Sequence, residues 1–252
     1  MMTGDTSGAS AGNVEQTPAH LRDSELSHIL SAISHEIKNP LASLKLNAQM
    51  LTRAIERGRQ PRIESAHLLT QAVDQLDHIA SELSDAVRAE SDRFALALRP
   101  VDLVAFACRA VAEAEATYQR PITLAAPATP LVAQADEARI RLAMRYLLAN
   151  AAKYTPKDRD ITLAVRVVGS RARVEARDQG PGIAESDLPY IFDAFYQGAA
   201  TPQPEAPEGA GLGLGLYIAR CIVRRHGGEV GAESAPGQGA TIWFALPLVK
   251  HS

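Results

Sequence analysis

Residues 34–41, SHEIKNPL, place a histidine, an acid and a proline inside a run of helical spacing. The first part is one residue away from the zinc-binding pattern H-E-x-x-H, but Asn39 stands where the second histidine would be, and an amide is a poor zinc ligand. Pro40 has no N–H to bond the carbonyl of Glu36, which costs about 3 kcal/mol in a helix interior. We interpret this proline as a kink that keeps His35 accessible.

Apolar residues continue the helical spacing on both sides of this stretch. A first series, spaced by threes and fours, comprises Leu26, Leu30, Ile33, Ile37, Leu41, Leu44, Ala48, Leu51 and Ile55. A loop follows at residues 57–61, RGRQP. A second series comprises Leu69, Val73, Leu76, Ala80, Leu83 and Val87 and ends near Phe94. Two helices of about 30 residues with heptad-like seams and a short connection predict an antiparallel hairpin.

The predicted hairpin leaves its apolar seam half covered. Two such hairpins should therefore pair into a dimeric four-helix bundle. The alternative is a hairpin whose seam packs on the C-terminal part of its own chain.

The position of His35 on the predicted helix favours a functional role. Ile33 and Ile37 belong to the seam, so His35, two residues from each, should face solvent. Asn39 lies one turn further on the same face. A single exposed histidine usually has no functional role, but the nearby amide of Asn39 and the proline favour a functional site here.

Composition excludes several classes of protein. The net charge is −3, the pI is near 6.2 and no basic run is present, which argues against a nucleic-acid surface. Cys108 and Cys221 are far apart and form no C-x-x-C, which is typical of unpaired thiols in a reducing compartment. No apolar run approaches the roughly 20 residues needed to span a membrane, and the N-terminus has no signal-peptide pattern. We expect a cytoplasmic protein without a membrane span.

The sequence pattern changes after residues 99–100. Five segments that alternate or are rich in β-branched residues predict strands: PITLAA, ITLAVRVVG, ARVEARD, GEVGAES and ATIWFALPL. Helical stretches lie among them at Asp102–Tyr118, Glu137–Lys153 and Leu214–His226. Helices mixed with a mainly antiparallel sheet predict a two-layer α/β sandwich of about 150 residues. We therefore divide the chain into a disordered tail (1–22), a helical domain (23–97) and an α/β domain (98–252).

Three glycine-rich stretches occur in the second half of the chain. They are DQGPGI at 178–183, GLGLGLYI at 211–218 and GQGATIWF at 237–244. Glycine lets the backbone approach phosphates closely, and helix N-termini favour anions. Neither G-x-x-x-x-G-K-[ST] nor G-x-G-x-x-G is present, so P-loop and Rossmann sites are excluded.

A fourth stretch, LLANAAKYTP at 147–156, carries polar residues within a helix. Asn150 lies mid-helix, where asparagine is unfavourable unless its side chain has a task. Lys153 lies on the same face. An amide oxygen on magnesium beside an ammonium on phosphate is typical of a nucleotide site.

These stretches together resemble the transmitter core of bacterial sensor histidine kinases, over roughly residues 25–248. SHEIKNPL is similar to the phosphoacceptor box, NAAKYTP to the N box and DQGPGI to the first glycine box. IFDAFYQG is similar to the F box and GLGLGLYI to the second glycine box. The resemblance implies a dimerisation and phosphotransfer hairpin followed by an ATP-binding domain of the Bergerat type.

The resemblance also implies roles for individual residues toward ATP and Mg²⁺. Asn150 would coordinate magnesium, Lys153 would meet phosphate, Tyr154 would pack near the adenine and Asp178 would accept a hydrogen bond from its amino group. Residues 196–210 would form a mobile lid. The other implied ATP-binding residues are Gly180, Gly182, Ile183, Phe195, Gly211, Leu212, Gly213, Leu214, Gly215 and Thr241.

By the same resemblance, His35 is the phosphoacceptor of an ATP-dependent autophosphorylating kinase. Its phosphoryl group would pass to an aspartate in the receiver domain of a response regulator. Glu36 would bond the second ring nitrogen of His35. Asn39 would position water for dephosphorylating the regulator. An upstream sensory protein is a further expected partner.

Two residues depart from the family pattern. Tyr146 stands where the family often carries a further asparagine, and Gln197 stands where an arginine is common. A hydrolysing relative of the gyrase or chaperone type would need a glutamate at position 146, so ATP hydrolysis is not expected as the main activity. A catalytically weak or inactive ATP-binding scaffold of the same fold is the alternative.

Overall fold

The computed structural model describes residues 19–60, 63–90, 96–198 and 211–249. Helix α1 spans Ala19–Glu56 and helix α2 spans Ile63–Glu90, and the two pack as an antiparallel hairpin. Because α1 begins at Ala19, residues 19–22 belong to a helix rather than to the predicted tail, and the rest of that tail lies outside the described residues. Within the described ranges, no helix is both long and apolar enough to cross a membrane.

The hairpin places His35 and Asn39 on its exposed face, as expected. Pro40 lies inside α1 and is buried, whereas His35 and Asn39 are exposed. Ile33 and Ile37 are partly buried and pack against the hydrophobic core. The prediction that His35 faces away from the seam is therefore confirmed.

Part of the predicted seam remains uncovered within one chain. Leu30 is 59% exposed, Ile55 64% and Val87 69%. Among the seam residues whose side chains the structure describes, the exposed ones are Leu30, Leu41, Ile55, Val73, Ala80 and Val87. Val73, Ala80 and Val87 are seven residues apart and therefore share one stripe of α2.

The second half of the chain is an α/β body. Its strands are β1 (Arg99–Asp102), β2 (Thr123–Ala125), β3 (Val132–Ala135), β4 (Ile161–Val168), β5 (Arg171–Asp178), β6 (Glu229–Ser234) and β7 (Ala240–Pro247). Its helices are α3 (Leu103–Tyr118), α4 (Glu137–Tyr154) and α5 (Gly215–Arg225). The five predicted strands and three predicted helices are all present.

The main sheet has the strand order β2-β4-β5-β7-β6. Only the β2–β4 pair is parallel, and the other three pairs are antiparallel, as predicted. A small antiparallel sheet of β1 and β3 was not predicted, because its four-residue strands show no strong alternation. Its pairing depends on contacts between distant parts of the chain.

The two faces of the main sheet differ sharply. Apolar side chains such as Val174 and Phe244 are fully buried toward the helices. On the opposite face, Glu175 is 0% exposed because Arg166, Arg173 and Arg177 surround its carboxylate with ion pairs. Burial alone would raise the pKa of Glu175, but these arginines outweigh it and lower that pKa. The α/β body is therefore a two-layer sandwich with a polar outer face.

Asp136 and His226 join the start of α4 to the end of α5. The Asp136 carboxylate caps α4 by accepting from Arg139 N–H at 3.3 Å and also accepts from Ala97 N–H at 3.1 Å. Nε2 of His226 accepts from Asp136 N–H at 3.0 Å, and its Nδ1 donates to the carbonyl of Ile222 at 2.8 Å. Burial lowers the pKa of His226, which keeps the ring neutral as this arrangement requires.

Arg120 fixes the loop that follows α4. Its buried guanidinium donates to the carbonyl of Thr155 at 2.8 Å, to that of Pro156 at 2.9 Å and to that of Arg159. These carbonyls lie just beyond the helix C-terminus, where a cation is favourable. Arg120 therefore holds the end of the helix that carries Asn150 and Lys153.

Arg120→Met should destabilise the α/β body by about 1–3 kcal/mol, because the buried carbonyl of Thr155 and the partly buried carbonyls of Pro156 and Arg159 lose their donor. Urea unfolding followed by the fluorescence of Trp243, the one tryptophan of the chain, would measure this. Arg141→Met, at an exposed position of α4, is the matched control and should change the unfolding free energy little. Equal stability of the two variants would contradict the role of Arg120.

Candidate functional site

A cavity of about 330 Å³ opens between the sheet, α4 and the segment after β5. Its lining is mainly apolar and includes Tyr154, Pro181, Gly182, Ile183, Ile191, Leu216, Ala240 and Ile242. Asn150 and the carboxylates of Asp178 and Asp187 supply its polar groups. Size and lining suit a flat heterocycle with a few polar contacts.

Asp178 is fixed at the end of β5 by the backbone. Its Oδ1 accepts from Gly180 N–H at 2.8 Å and from Ala240 N–H at 3.1 Å. Burial raises the pKa of this carboxyl, and the two N–H donors oppose that effect. Because Oδ1 is used by the backbone, Oδ2 is the oxygen that can accept from a bound molecule.

A second, smaller cavity of about 80 Å³ adjoins the first. The two share Asn150, Tyr154, Ile191, Tyr196 and Leu216 in their linings. The smaller one is more polar than the larger. Its lining adds Lys153, Gln197, Gly211, Gly213, Gly215 and, from α2, His78 and Glu82. An apolar chamber joined to a more polar one that contains Lys153 matches the base and the phosphates of a nucleotide.

The second glycine box forms a tight loop against the end of the F box. Gly213 has φ +73°, and a Cβ there would lie 2.5 Å from the carbonyl oxygen of Tyr196. Gln197 Nε2 donates to the carbonyl of Gly211 at 2.9 Å. The residue that departs from the family's arginine therefore joins the two ends of the predicted lid. Most of that lid, residues 199–210, lies outside the described residues.

Helix α5 begins at Gly215, at the edge of the smaller cavity. Its N-cap, Leu214, makes no side-chain capping bond. The first N–H groups of such a helix carry partial positive charge and suit an oxyanion. The side chains of Leu212 and Leu214 are each 1% exposed and anchor the loop in the core.

Helix α2 packs on this region through acidic side chains. Glu82 accepts from Leu212 N–H at 3.1 Å, and Asp85 accepts from the hydroxyl of Tyr146 at 3.0 Å. Burial, reinforced by Asp85, raises the pKa of Tyr146, so its phenol remains a donor. The other departure from the family pattern is therefore a contact between the two halves of the chain, which the sequence did not indicate.

His35 lies outside both cavities, on the exposed face of α1. Nδ2 of Asn39 lies 3.4 Å from Nδ1 of His35, so this ring nitrogen and the amide face each other. Glu36 is half-buried. The structure thus brings Asn39 to the imidazole directly, whereas the role of Glu36 still depends on the resemblance.

Thr241 is a correction to the predicted set. Side chains alternate along β7, so Ala240 and Ile242 line the larger cavity while Thr241 points to the opposite face of the sheet, beside Arg177. Ala240 contributes its backbone N–H to Asp178 instead. The sequence could not predict this contact of Ala240, since every residue except proline has a backbone N–H.

Phe195 and Gly180 lie next to the cavities. Phe195 packs partly against the core and has φ +63°, directly before the loop contact of Tyr196. Gly180 supplies an N–H to Asp178, and a Cβ there would lie 2.8 Å from the carbonyl oxygen of Tyr154. The other predicted ATP-binding residues line one of the two cavities or lie in the glycine loop.

Two family models match the chain in the same order as its two halves. Residues 25–92 match the His Kinase A (phospho-acceptor) domain. Residues 135–250 match the histidine kinase-, DNA gyrase B- and HSP90-like ATPase. The chain belongs to the sensor histidine kinases. Its helical hairpin and α/β body are the transmitter core of that family.

Individual relatives agree with the family models. The sensor histidine kinase ZraS of Klebsiella oxytoca is 33% identical over 231 residues, which are 88% of this chain and 46% of ZraS. The chain spans about half the length of this curated relative.

Two solved histidine kinases have the same fold. Full-length ShkA in complex with AMPPNP has 26% identity and a TM-score of 0.61, over 88% of this chain and 46% of that one. The histidine kinase ThkA in complex with the response regulator protein TrrA has 20% identity and a TM-score of 0.69, over 91% and 64%.

Gly213→Ala should weaken ATP binding about ten-fold or more, because the new Cβ would displace the loop from Tyr196 and small displacements at a site cost much affinity or rate. Isothermal titration with ATP would measure this. Gly169→Ala, in the β4–β5 turn, is the matched control: its φ is also positive, at +60°, but a Cβ there meets nothing within 4 Å. Equal affinity of both variants would remove the loop from the site.

Proposed function

We propose that this protein is an ATP-dependent histidine kinase that phosphorylates itself on His35 and passes the phosphoryl group to an aspartate of a response regulator. The observation that supports this best is the pair of joined cavities. The larger offers the Asp178 carboxylate in an apolar chamber, and the smaller offers Lys153 and the glycine loop. The same chain exposes His35 within its phospho-acceptor match.

ATP would enter with its base in the larger cavity. Oδ2 of Asp178 would accept from the adenine amino group, and Tyr154 and Ile183 would contact the ring. The β- and γ-phosphates would lie in the smaller cavity, against Lys153 and the backbone of 211–215. Burial raises the pKa of Tyr154, which keeps that ring neutral beside the base.

Asn150 is the residue that fits a magnesium ion. Its side chain lines both cavities, between the places proposed for base and phosphates, and amide oxygens are suitable ligands for Mg²⁺. Magnesium bound with ATP would neutralise charge on the phosphate oxygens. Few protein ligands are needed, because the phosphates and water supply the rest.

His35 would act as the nucleophile. One neutral ring nitrogen attacks the γ-phosphorus, an N–P bond forms, and the bond from that phosphorus to the bridging oxygen breaks as ADP leaves. The other nitrogen must then carry the proton, and by the resemblance Glu36 accepts it. Because His35 lies outside the cavities, the two halves of the chain must change their relative position for transfer.

We propose a homodimer formed through the hairpin. The exposed stripe of Val73, Ala80 and Val87 has the seven-residue spacing of a helical seam. A second hairpin would bury this stripe and remove its apolar surface from water, which is favourable. Light scattering that returned the 26.9 kDa mass of a single chain would contradict this.

The remaining proposals concern partners. We propose a response-regulator receiver domain as the phosphoryl acceptor and an upstream sensory protein as the source of the signal. ThkA, of the same fold, is described in complex with a response regulator protein. We also propose that the protein acts in the cytoplasm, where ATP is plentiful. The unpaired Cys108 and Cys221 agree with this, because thiols stay reduced there.

His35→Gln should abolish autophosphorylation and change ATP affinity by no more than a few-fold, because the histidine lies outside both cavities. Incubation with γ-labelled ATP would measure acid-labile, base-stable label on the chain. His67→Gln, at an exposed position of α2, is the matched control and should retain the label. A wild-type chain that binds ATP but takes up no label would favour the scaffold alternative.

Asn39→Ala should keep autophosphorylation within a few-fold but slow the dephosphorylation of the phosphorylated regulator markedly. The amide would orient water toward the aspartyl phosphate, which is positioning rather than acid–base work. Gln49→Ala, an exposed amide further along α1, is the control for both rates. Equal loss of the two activities in Asn39→Ala would restrict this residue to holding the imidazole.

A further inference from the structure

An acidic side chain from the hairpin occupies the polar end of the nucleotide site. Glu82 of α2 is 5% exposed, and its Oε2 accepts from Leu212 N–H at 3.1 Å. Its Oε1 lies 3.6 Å from Nε2 of His78. Both the Glu82 carboxylate and Nζ of Lys153 lie within 4 Å of the place that a Cβ on Gly211 would take. The carboxylate therefore lies among the groups that would meet phosphate.

The donors around Glu82 are the ones that a phosphate would use. They are the N–H of Leu212, the ammonium of Lys153 and the N-terminus of α5, which has no side-chain cap. A carboxylate and a phosphate both present anionic oxygens to such donors. Within a cavity of about 80 Å³, two anions would repel each other strongly and compete for the same N–H.

Further contacts hold the same face of α2 on the α/β body. Asp85 accepts from Tyr146 and pairs with Arg145 at 3.4 Å, and Glu90 accepts from the hydroxyl of Tyr217. Glu82, Asp85 and Glu90 lie on one side of the helix, since Asp85 and Glu90 follow Glu82 by three and eight residues. Withdrawal of Glu82 therefore requires the whole acidic face to separate from the α/β body.

We propose that the phosphate pocket has a second ligand within the chain, the carboxylate of Glu82, which competes with the triphosphate of ATP. The docked state of α2 and the ATP-bound state exclude each other. By linkage, ATP releases α2, and whatever strengthens the docking of α2 weakens ATP binding by the same factor. This inference rests on the proposed ATP-binding function and adds its regulation.

Isothermal titration of the full chain with ATP and with adenosine tests the competition. Glu82→Gln keeps an acceptor for Leu212 N–H but removes the charge, so ATP should bind about five-fold tighter or more, as is typical of coupled sites. Asp85→Asn, outside both cavities, should also tighten ATP binding because it weakens docking. Asp77→Asn, at an exposed position of α2, is the matched control and should have no effect.

Adenosine separates this competition from a general change in the site. Glu82 does not line the larger cavity, so both variants should bind adenosine as the wild type does. Unchanged ATP affinity in Glu82→Gln, or tightening of ATP and adenosine alike, would overturn the inference. So would an Asp85→Asn variant with wild-type ATP affinity, since the effect of Glu82 would then not depend on docking. If no variant bound ATP, including the wild type, the proposed kinase function would fail as well.

Discussion

The hydrogen bond from Leu212 N–H to Glu82 joins the two halves of the chain at the place where phosphates should bind. It closes the polar cavity on one side with helix α2 and sets which face of the hairpin the α/β body covers. Asp85 extends the same contact to Tyr146. The arrangement of His35, the proposed acceptor, relative to the proposed nucleotide pocket depends on this acidic face.

The proposed phosphoryl acceptor and the proposed nucleotide site lie in separate halves of the chain. His35 is exposed on α1, and the cavities belong to the α/β body. The connection between them includes Ala97, whose N–H is held by the carboxylate of Asp136. The same aspartate caps α4 and contacts His226 at the end of α5. The entry to the α/β body is therefore tied to the two helices that form the pocket.

Much of this architecture could be predicted from the sequence. Apolar spacing predicted both long helices, and alternation predicted five strands, because these patterns follow from the geometry of a single element. The small sheet of β1 and β3 was missed, since four-residue strands carry little pattern of their own. Residues 19–22 were assigned to a tail although they are helical, because helix ends are weakly encoded.

The candidate site could be predicted to a similar extent. The glycines were informative because glycine is favoured where the backbone turns tightly. The pair Asn150 and Lys153 was informative because asparagine is unfavourable inside a helix unless its side chain has a task. Thr241 was predicted to bind ATP, but Ala240 and Ile242 line the cavity instead, since one step along a strand reverses the side chain. The contact of Glu82 with the glycine loop joins residues 130 positions apart, and no local pattern could indicate it.

The most direct test of this account is the distance between α2 and the α/β body with and without nucleotide. Spin labels on the native exposed Cys108 and on Asp77→Cys, in a Cys221→Ser background diluted with unlabelled chain, would report it by pulsed electron resonance. Saturation with a non-hydrolysable ATP analogue and magnesium should shift the distance distribution to larger and broader values. An unchanged distribution at full occupancy would contradict the account, because docking and nucleotide would then coexist.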